Sequence, residues 1–545
     1  YGIDELRCIL TNMALDISSE CRREFINQLL IKKPVNKQEA KPTEVVLGEI
    51  ECLIEDIRDQ SEQEPAWSEF HDEDSLGEFA EFLPRIYQLF DKVEALFEFG
   101  DFHLARNAFN ALYTIFDIED DYGRGISLHD LDELDLDEIR ARYLRSIYLT
   151  EHPSERAPQL LNTMIRLSQL DSYSSPPKLE DMINISVQEL LDWNAFLQSW
   201  LQLVKVESGM QYDEWYREAT GLLYGISGLE ELAKTEGLQR PRVYIDWVDS
   251  LIANNDYESA LNAIYSALEK LPQDQPIRAA IGDLQVVCGQ ELSNEEICLE
   301  GWWTSFAAKP DLTKLVILYQ LVNPSEKNAL MQKASDLIKT YKLRIKDYSN
   351  RERRYGNAIE SPAYPDSSLL MHAYLFSHNY EDACKLAQQG SVLGWSSSNN
   401  PQPIFIGFCL AKATSQSFNA LPGSLKTLLD GILIKRSDGW CGDATQNDLF
   451  LKLEQIYSEV LVKAPSIPNE MVNWCFKTAE ERICGIVSNQ HRGAYDRAAL
   501  LTVACTETLK FIESVKSPIF YNKIRNQFPR HSAFQAELRQ AAKCY

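Results

Sequence analysis

Long apolar runs are missing from this chain of 545 residues. The longest, around 315–322 and 404–411, fall well short of the roughly 18 residues that a membrane helix needs. No membrane span is expected. Positive charge is scarce: 54 Lys and Arg stand against 81 Asp and Glu, leaving a net charge of −27. Such a surface repels a phosphate backbone, which argues against nucleic-acid binding over most of it. Cysteine occurs twelve times but never in tight pairs; the closest two, Cys475 and Cys484, are nine positions apart. Disulfide frameworks and structural zinc sites use denser, patterned spacing. Cys384, Cys409 and Cys505 sit inside apolar stretches and read as small buried hydrophobes. A reducing cytoplasm is the expected setting, and no cofactor is expected.

Catalytic signatures are also thin. There is no Gly-Lys-Ser/Thr loop, and GRG at 123–125 lacks the third glycine of a dinucleotide fingerprint. YGISGL at 224–229 lacks the final glycine spacing of a nucleophile elbow. His372 and His378 are six apart, and Cys484 and His491 seven apart; neither is a zinc spacing. The stretch DIEDDYGRGISLHDLDELDLDE (117–138) holds ten acidic residues, yet its sixth position is Tyr122 where a calcium loop needs glycine. A solvated connector is the expectation there. The one nucleophile worth naming is Cys441, in the Gly-bordered loop DGWCGD (438–443), with His129 or His491 as its base if folding brought one near. A cysteine-dependent hydrolase is therefore the alternative from another functional class. The opening YGIDELRCILTNMALD has no basic stretch leading into an apolar one, so no signal peptide is expected. It lacks an initiator Met, which leaves room for residues upstream of Tyr1.

What the chain does have is helical periodicity. In NNDYESALNAIYSALEKLP (254–272), Leu261, Ile264, Leu268 and Leu271 form one apolar face. Ala260, Ala263 and Ala267 form a small-residue strip beside it. Asn254, Asn255 and Asp256 are turn and cap residues, and Pro272 marks the end. The preceding RVYIDWVDSLIA (242–253) is amphipathic too, so the pair reads as helix, tight turn, helix. An aromatic three residues before an alanine recurs: Phe102 and Ala105, Tyr257 and Ala260, Tyr380 and Ala383, Tyr495 and Ala498. The aromatic suits the wedge between two antiparallel helices, and the alanine suits their closest approach. The copies lie 155, 123 and 115 residues apart, not near the roughly 34 of a regular tetratricopeptide array. The expected fold is all-α: a degenerate, tetratricopeptide-like α-solenoid of stacked helical hairpins. Breaks rich in Pro, Gly, Ser and Asn divide it into an acidic helical region (1–170), a central repeat region (179–395) and a C-terminal repeat region (404–545).

Several segments resemble one family. These are LRCILTNMALDISSECRREFINQLL (6–30), YQLFDKVEALFEFGDFHLARNAFNALY (87–113), ICLEGWWTSFAAKPDLTKLVILYQL (297–321) and the closing hairpins of 495–541. They are similar to the helical region that follows the zinc motif in bacterial SWIM zinc-finger proteins. The coverage is broad and the motifs are soft. The resemblance implies an interaction scaffold, in some members linked to Swi/Snf-type ATPases. The family's zinc motif is not here, since the chain has no Cys-x-Cys and no Cys-x-His. Either that module lies upstream or this chain never had one.

Two charged segments are candidates for recognition. From 49 to 81 there are thirteen acidic residues and only Arg58, a solvated face or a docking surface for a basic partner. KTYKLRIKDYSNRERRYGN (339–357) is the one concentrated positive segment. It places Lys346, Arg351, Arg353 and Arg354 among Tyr348 and Tyr355, after Lys339, Tyr341, Lys342 and Arg344. Cations with aromatics suit an acidic protein partner, the chain's own acidic half or a nucleic-acid backbone. The expected function is that of a non-enzymatic scaffold or adaptor for protein partners. Nucleic acid would be met only indirectly or through this stripe.

Overall fold

A computed structural model describes residues 42–62, 76–171, 175–355, 365–397, 399–437, 443–463 and 465–544; along 342–355, and at the edges of some other segments, it describes the backbone alone. The chain separates into two compact units, Tyr1–Trp200 and Leu201–Tyr545. Among the described residues both are all-α, and an isolated bridge between Glu119 and Gly125 is the nearest approach to a strand.

The first unit carries α1 (Pro42–Ser61), α2 (Leu83–Glu98), α3 (Phe102–Tyr113), α4 (Leu136–Thr150), α5 (Arg156–Leu170), α6 (Leu179–Asn184) and the start of α7 (Trp193–Val204). Helices α2 to α5 pack in chain order, and α1 returns against α3. Helix α4 is buried almost throughout, including three arginines. Arg140 pairs with buried Asp171, and Arg142 with Glu94 and Glu138. Arg145 donates to the carbonyls of Met182 and Gln188 near the end of α6, where a cation also suits the helix dipole.

The second unit begins with α8 (Met210–Glu236), which breaks at Gly225, where φ is +62°. It continues through α9 (Val243–Ala253), α10 (Tyr257–Lys270), α11 (Arg278–Glu291), α12 (Glu295–Ala308), α13 (Leu312–Leu321), α14 (Lys327–Tyr355), α15 (Ser367–Phe376), α16 (Tyr380–Gln388) and α17 (Gln402–Ala413). It closes with α18 (Gly423–Ser437), α19 (Asp443–Lys463), α20 (Asn469–Ser488), α21 (Tyr495–Ile512), α22 (Lys516–Gln527) and α23 (Ser532–Ala541). Successive helices pack on one another, the solenoid-like arrangement the periodicity implies. Non-successive packing is added by α21, which also meets α17, α18 and α23, by α17 against α20 and by α13 against α19. The apolar run at 404–411 becomes α17, buried on all sides. A helix enclosed in this way has no polar face to show.

One connector recurs. Its first residue has a positive φ, at Gly100 (83°), Asn255 (58°), Ser293 (52°), His378 (57°) and Gln490 (56°). Each donates its N–H to the carbonyl three residues back, and the following residue donates to the carbonyl five back. This is the Schellman ending, which satisfies the orphan carbonyls of the first helix. The second connector residue then starts the next helix: Asp256, Asn294 and Asn379 accept from its first-turn N–H groups. The reversal thus takes two residues.

The eight positions of the aromatic–alanine pattern fall at these hairpins. Ala105, Ala260, Ala383 and Ala498 are fully buried. Tyr380 and Tyr495 are buried, with rings 5.7 Å from Phe408 and 5.9 Å from Phe534. Phe102 is half-buried, 5.3 Å from Phe97. Tyr257 is half-buried, and its hydroxyl turns back to donate to Asn255 Oδ1 at 3.1 Å. Tyr495 stands apart because a 3₁₀ turn, Arg492–Ala494, separates it from its connector.

The Ser293 connector has no aromatic after it, and the pattern passes over it. Its hairpin closes by a different means. A Cβ on Gly282 would lie 2.5 Å from Ser305 N and 2.7 Å from Gly301 O; one on Gly301 would lie 2.8 Å from Gly282 O and from Val286 N. Helices α11 and α12 therefore touch backbone to backbone, and only glycine leaves the room.

Candidate interaction surface

The basic stripe belongs to α14, the longest described helix. Its first half is built into the second unit. Lys327 pairs with Glu459 at 2.9 Å and lies over the Tyr319 ring at 4.2 Å. Lys333 lies 4.1 Å over Trp303. Met331, Ala334, Ile338 and Tyr341 are buried, and the Tyr341 hydroxyl donates to the carbonyl of Ala307. Lys339, the first cation of the stripe, is occupied as well. It lies 3.0 Å from Asp336, 3.8 Å from Asp382 and 5.0 Å from the Tyr374 ring. Burial pulls its ammonium down, but hydrogen bonds with Asp336 and Tyr374 outweigh this and hold its pKa above the ordinary lysine value.

Beyond Tyr341 the helix runs on to Tyr355. Lys346, Tyr348, Arg351, Arg353, Arg354 and Tyr355 lie on this stretch, where the backbone is helical and the side chains fall outside the described residues. Helical spacing orders the positions. Lys339, Lys342, Lys346 and Arg353 share one side of the helix, while Tyr341, Tyr348 and Tyr355 recur every seven residues on the other. Arg344 and Arg351 fall toward the tyrosine side and Arg354 between the two, so the helix sorts the cations only in part.

At the foot of the stripe is a cavity of about 380 Å³ between α14, α15 and α16, lined by Lys339, Asp366, Tyr374, Asp382 and Lys385 among others. Its walls alternate in charge. Asp366 caps α15 by accepting from Leu369 N at 2.7 Å. The Asp382 carboxyl is held below its ordinary range, first by its hydrogen bond from Lys385 and then by that from Asn379. Asp366 and Lys385 meet here only through the fold, and no sequence spacing could have pointed to them.

The other candidates have structural roles or fall outside the description. In the acidic stretch 117–138, Asp120 accepts from the backbone N–H groups of Tyr122 and Arg124 and closes a turn. Asp130 completes a capping box with Ser127, and Asp135 caps α4. In the segment 49–81, Glu49 and Asp56 reach Lys92 and Arg85 on α2, each at 2.5 Å; residues 63–75 lie outside the described residues. Cys441 also lies outside them. His129 is exposed beside Asp171 at 3.5 Å. Among the described residues no group of three His, Cys, Asp or Glu side chains could hold a metal ion, and no helix is long and apolar enough to cross a membrane.

No protein-family model matches the chain, and no curated protein matches it.

Proposed function

We propose that this chain is a non-enzymatic helical-repeat scaffold or adaptor that binds protein partners within a larger complex, with the far half of α14 as its recognition element. The observation that carries the reading is that α14 runs on as helix for fourteen residues past Tyr341 and that this stretch holds the densest run of Lys and Arg in a chain of net charge −27. A helix that carries cations around most of its circumference, with a line of tyrosines among them, suits an acidic partner surface, to which charge contributes rate and specificity. A cytoplasmic setting and a role beside a complex acting on nucleic acid fit the likeness to the helical region of SWIM zinc-finger proteins, and both belong to the same proposal.

The test is affinity capture from native lysate with the wild-type chain and with Arg351, Arg353 and Arg354 all changed to Glu. Exposed pairs contribute only about 0–1 kcal/mol each, so the melting temperature should hardly move. Partners should be lost in the variant and should weaken with salt in the wild type. An identical partner set in both would overturn the reading; unfolding of the variant would make the stripe an internal clamp.

A further inference from the structure

The C-terminal end of the second unit reverses the charge of the chain. From 510 to 543 seven Lys and Arg, all exposed, stand against Glu513 and Glu537 in a protein of net charge −27. Lys516 pairs with Glu513 at 2.6 Å, and Lys523 reaches Glu480 on α20 at 2.5 Å. Among the described residues Arg525, Arg530 and Arg539 have no acidic partner. The Debye length is about 8 Å at physiological ionic strength, so a local surface of this kind acts apart from the net charge of the whole.

Apolar side chains are exposed in the same place. Phe511 and Ile512 end α21 and are 49% and 39% exposed. Val515, in helical conformation just before α22, is 76% exposed, and Ile519 within α22 is 60% exposed. The turn between the two helices is closed by Lys516 N, which donates to Glu513 O at 2.8 Å. Every residue from 510 to 516 is exposed, so the turn protrudes. Single exposed apolar residues are ordinary; four within nine positions on one turn, rimmed by cations, mark a contact surface.

The inner side of α22 is fixed. Ser517 is buried and its Oγ donates to the Thr506 carbonyl on α21 at 2.9 Å. Phe520 lies 6.3 Å from Phe476 of α20, and Ile524 is fully buried. Val515 and Ile519, four apart, share the side of the helix opposite Ser517 and Ile524, with Asn522 and Asn526 completing that face. Lys516 and Lys523 fall along one edge of it, and Arg525 beyond the other.

We propose that the α21–α22 turn and the outer side of α22 bind the surface of an anionic membrane, with Phe511, Ile512, Val515 and Ile519 at the acyl boundary and Lys516, Lys523 and Arg525 at the headgroups. The helix lies on the bilayer and does not span it. Lipid fits both halves of the surface: apolar side chains leave water while the long cationic ones stay among anionic headgroups. An acidic protein surface would match the cations but set four apolar side chains against carboxylates. The contact is separate from α14 and stands or falls independently of the partner surface proposed there.

The full-length chain is sedimented with vesicles of phosphatidylcholine alone and of phosphatidylcholine mixed with phosphatidylserine, and is titrated separately with poly-glutamate. It should bind the phosphatidylserine vesicles, weaken as chloride rises, and hardly bind the neutral vesicles. Val515→Ser combined with Ile519→Ser keeps the charge and should lower the affinity at least about tenfold. Lys516→Gln combined with Arg525→Gln keeps the apolar residues and should lower it by about the same factor. All four positions are exposed, so the melting temperatures should not move. The chain with Arg351, Arg353 and Arg354 changed to Glu should bind the vesicles like the wild type, which separates this contact from the α14 stripe. No binding to phosphatidylserine vesicles, equal binding to neutral ones, or undiminished binding in either double variant overturns the proposal. So does loss of binding in the α14 variant alone, and so does binding to poly-glutamate in place of vesicles, which would make the surface a dock for an acidic polypeptide.

Discussion

Glu507, buried within α21, caps a different helix: its carboxylate accepts from Leu425 N at 2.9 Å and from Ser424 N at 3.3 Å, in the first turn of α18. The first N–H groups of a helix have no partner of their own, and the helix dipole favours a negative charge there. A carboxylate supplied from a neighbouring helix fixes α18 against α21 as well as ending it. Glu507→Ala should therefore cost more than loss of an ordinary local cap, about 2–4 kcal/mol, because it orphans two buried donors. Glu507→Gln keeps one acceptor oxygen and should fall between the two. Urea denaturation measures the difference; a loss within about 0.5 kcal/mol for Glu507→Ala would show that water replaces the carboxylate.

The contact between α11 and α12 should tolerate no added methyl. Gly282→Ala and Gly301→Ala each force a Cβ to within 3 Å of backbone atoms on the other helix. Backbone cannot rotate away as a side chain can, so each should destabilise by about 1–3 kcal/mol. Gly431 is the control. It lies within α18, it is exposed, and a Cβ there meets nothing within 4 Å. Gly431→Ala should stabilise by roughly 0.5–1 kcal/mol through helix propensity alone. Equal effects at the three sites, measured by thermal melting, would contradict the close approach.

The connector at Ser293 allows a sharper test of backbone strain. Ser293 is exposed and holds a φ of 52°, a conformation that costs a non-glycine residue roughly 1 kcal/mol. Its N–H donates to Gln290 O at 3.0 Å whatever the side chain. Ser293→Gly should thus stabilise the chain slightly, and Ser293→Val should destabilise it, since β-branching makes the left-handed region still less accessible. If both changes are neutral, the reversal does not depend on this residue.

Much of this architecture was legible in the sequence, and the reasons are local. Asn255 and Asp256 announce turn and cap in consecutive residues, and the buried Ala260 follows one helical turn later. The α11–α12 hairpin was not legible in that way. Its connector, Ser293 and Asn294, carries the cap but is followed by Glu295, and its helices are joined by Gly282 and Gly301, which a search for apolar faces passes over. The proposed interaction surface was half legible. Density of charge marked Lys339 to Arg354, but only the fold shows that Lys339 is already held by Asp336 and Asp382.

The Glu459 carboxylate ties two helices and gives a pH signature. It accepts from Lys327 on α14 and Lys463 on its own helix α19, both at 2.9 Å. Burial alone would raise its pKa, but the hydrogen bonds from Lys327 and Lys463 outweigh burial and hold it below the ordinary glutamate value. A carboxylate with a depressed native pKa adds stability that is fully present above its unfolded pKa and is lost as pH falls through the native one. Glu459→Gln should accordingly be less stable than the wild type near neutral pH. The gap should close as the pH drops below about 4.5, the glutamate region. Lys327 also lies over the Tyr319 ring, so Lys327→Met, which keeps the aliphatic stem and removes the charge, separates packing from pairing. Chemical denaturation of the three proteins between pH 7 and pH 3 reads the outcome. A gap for Glu459→Gln that persists unchanged at pH 3 would mean that this carboxylate acts through packing and not through its charge.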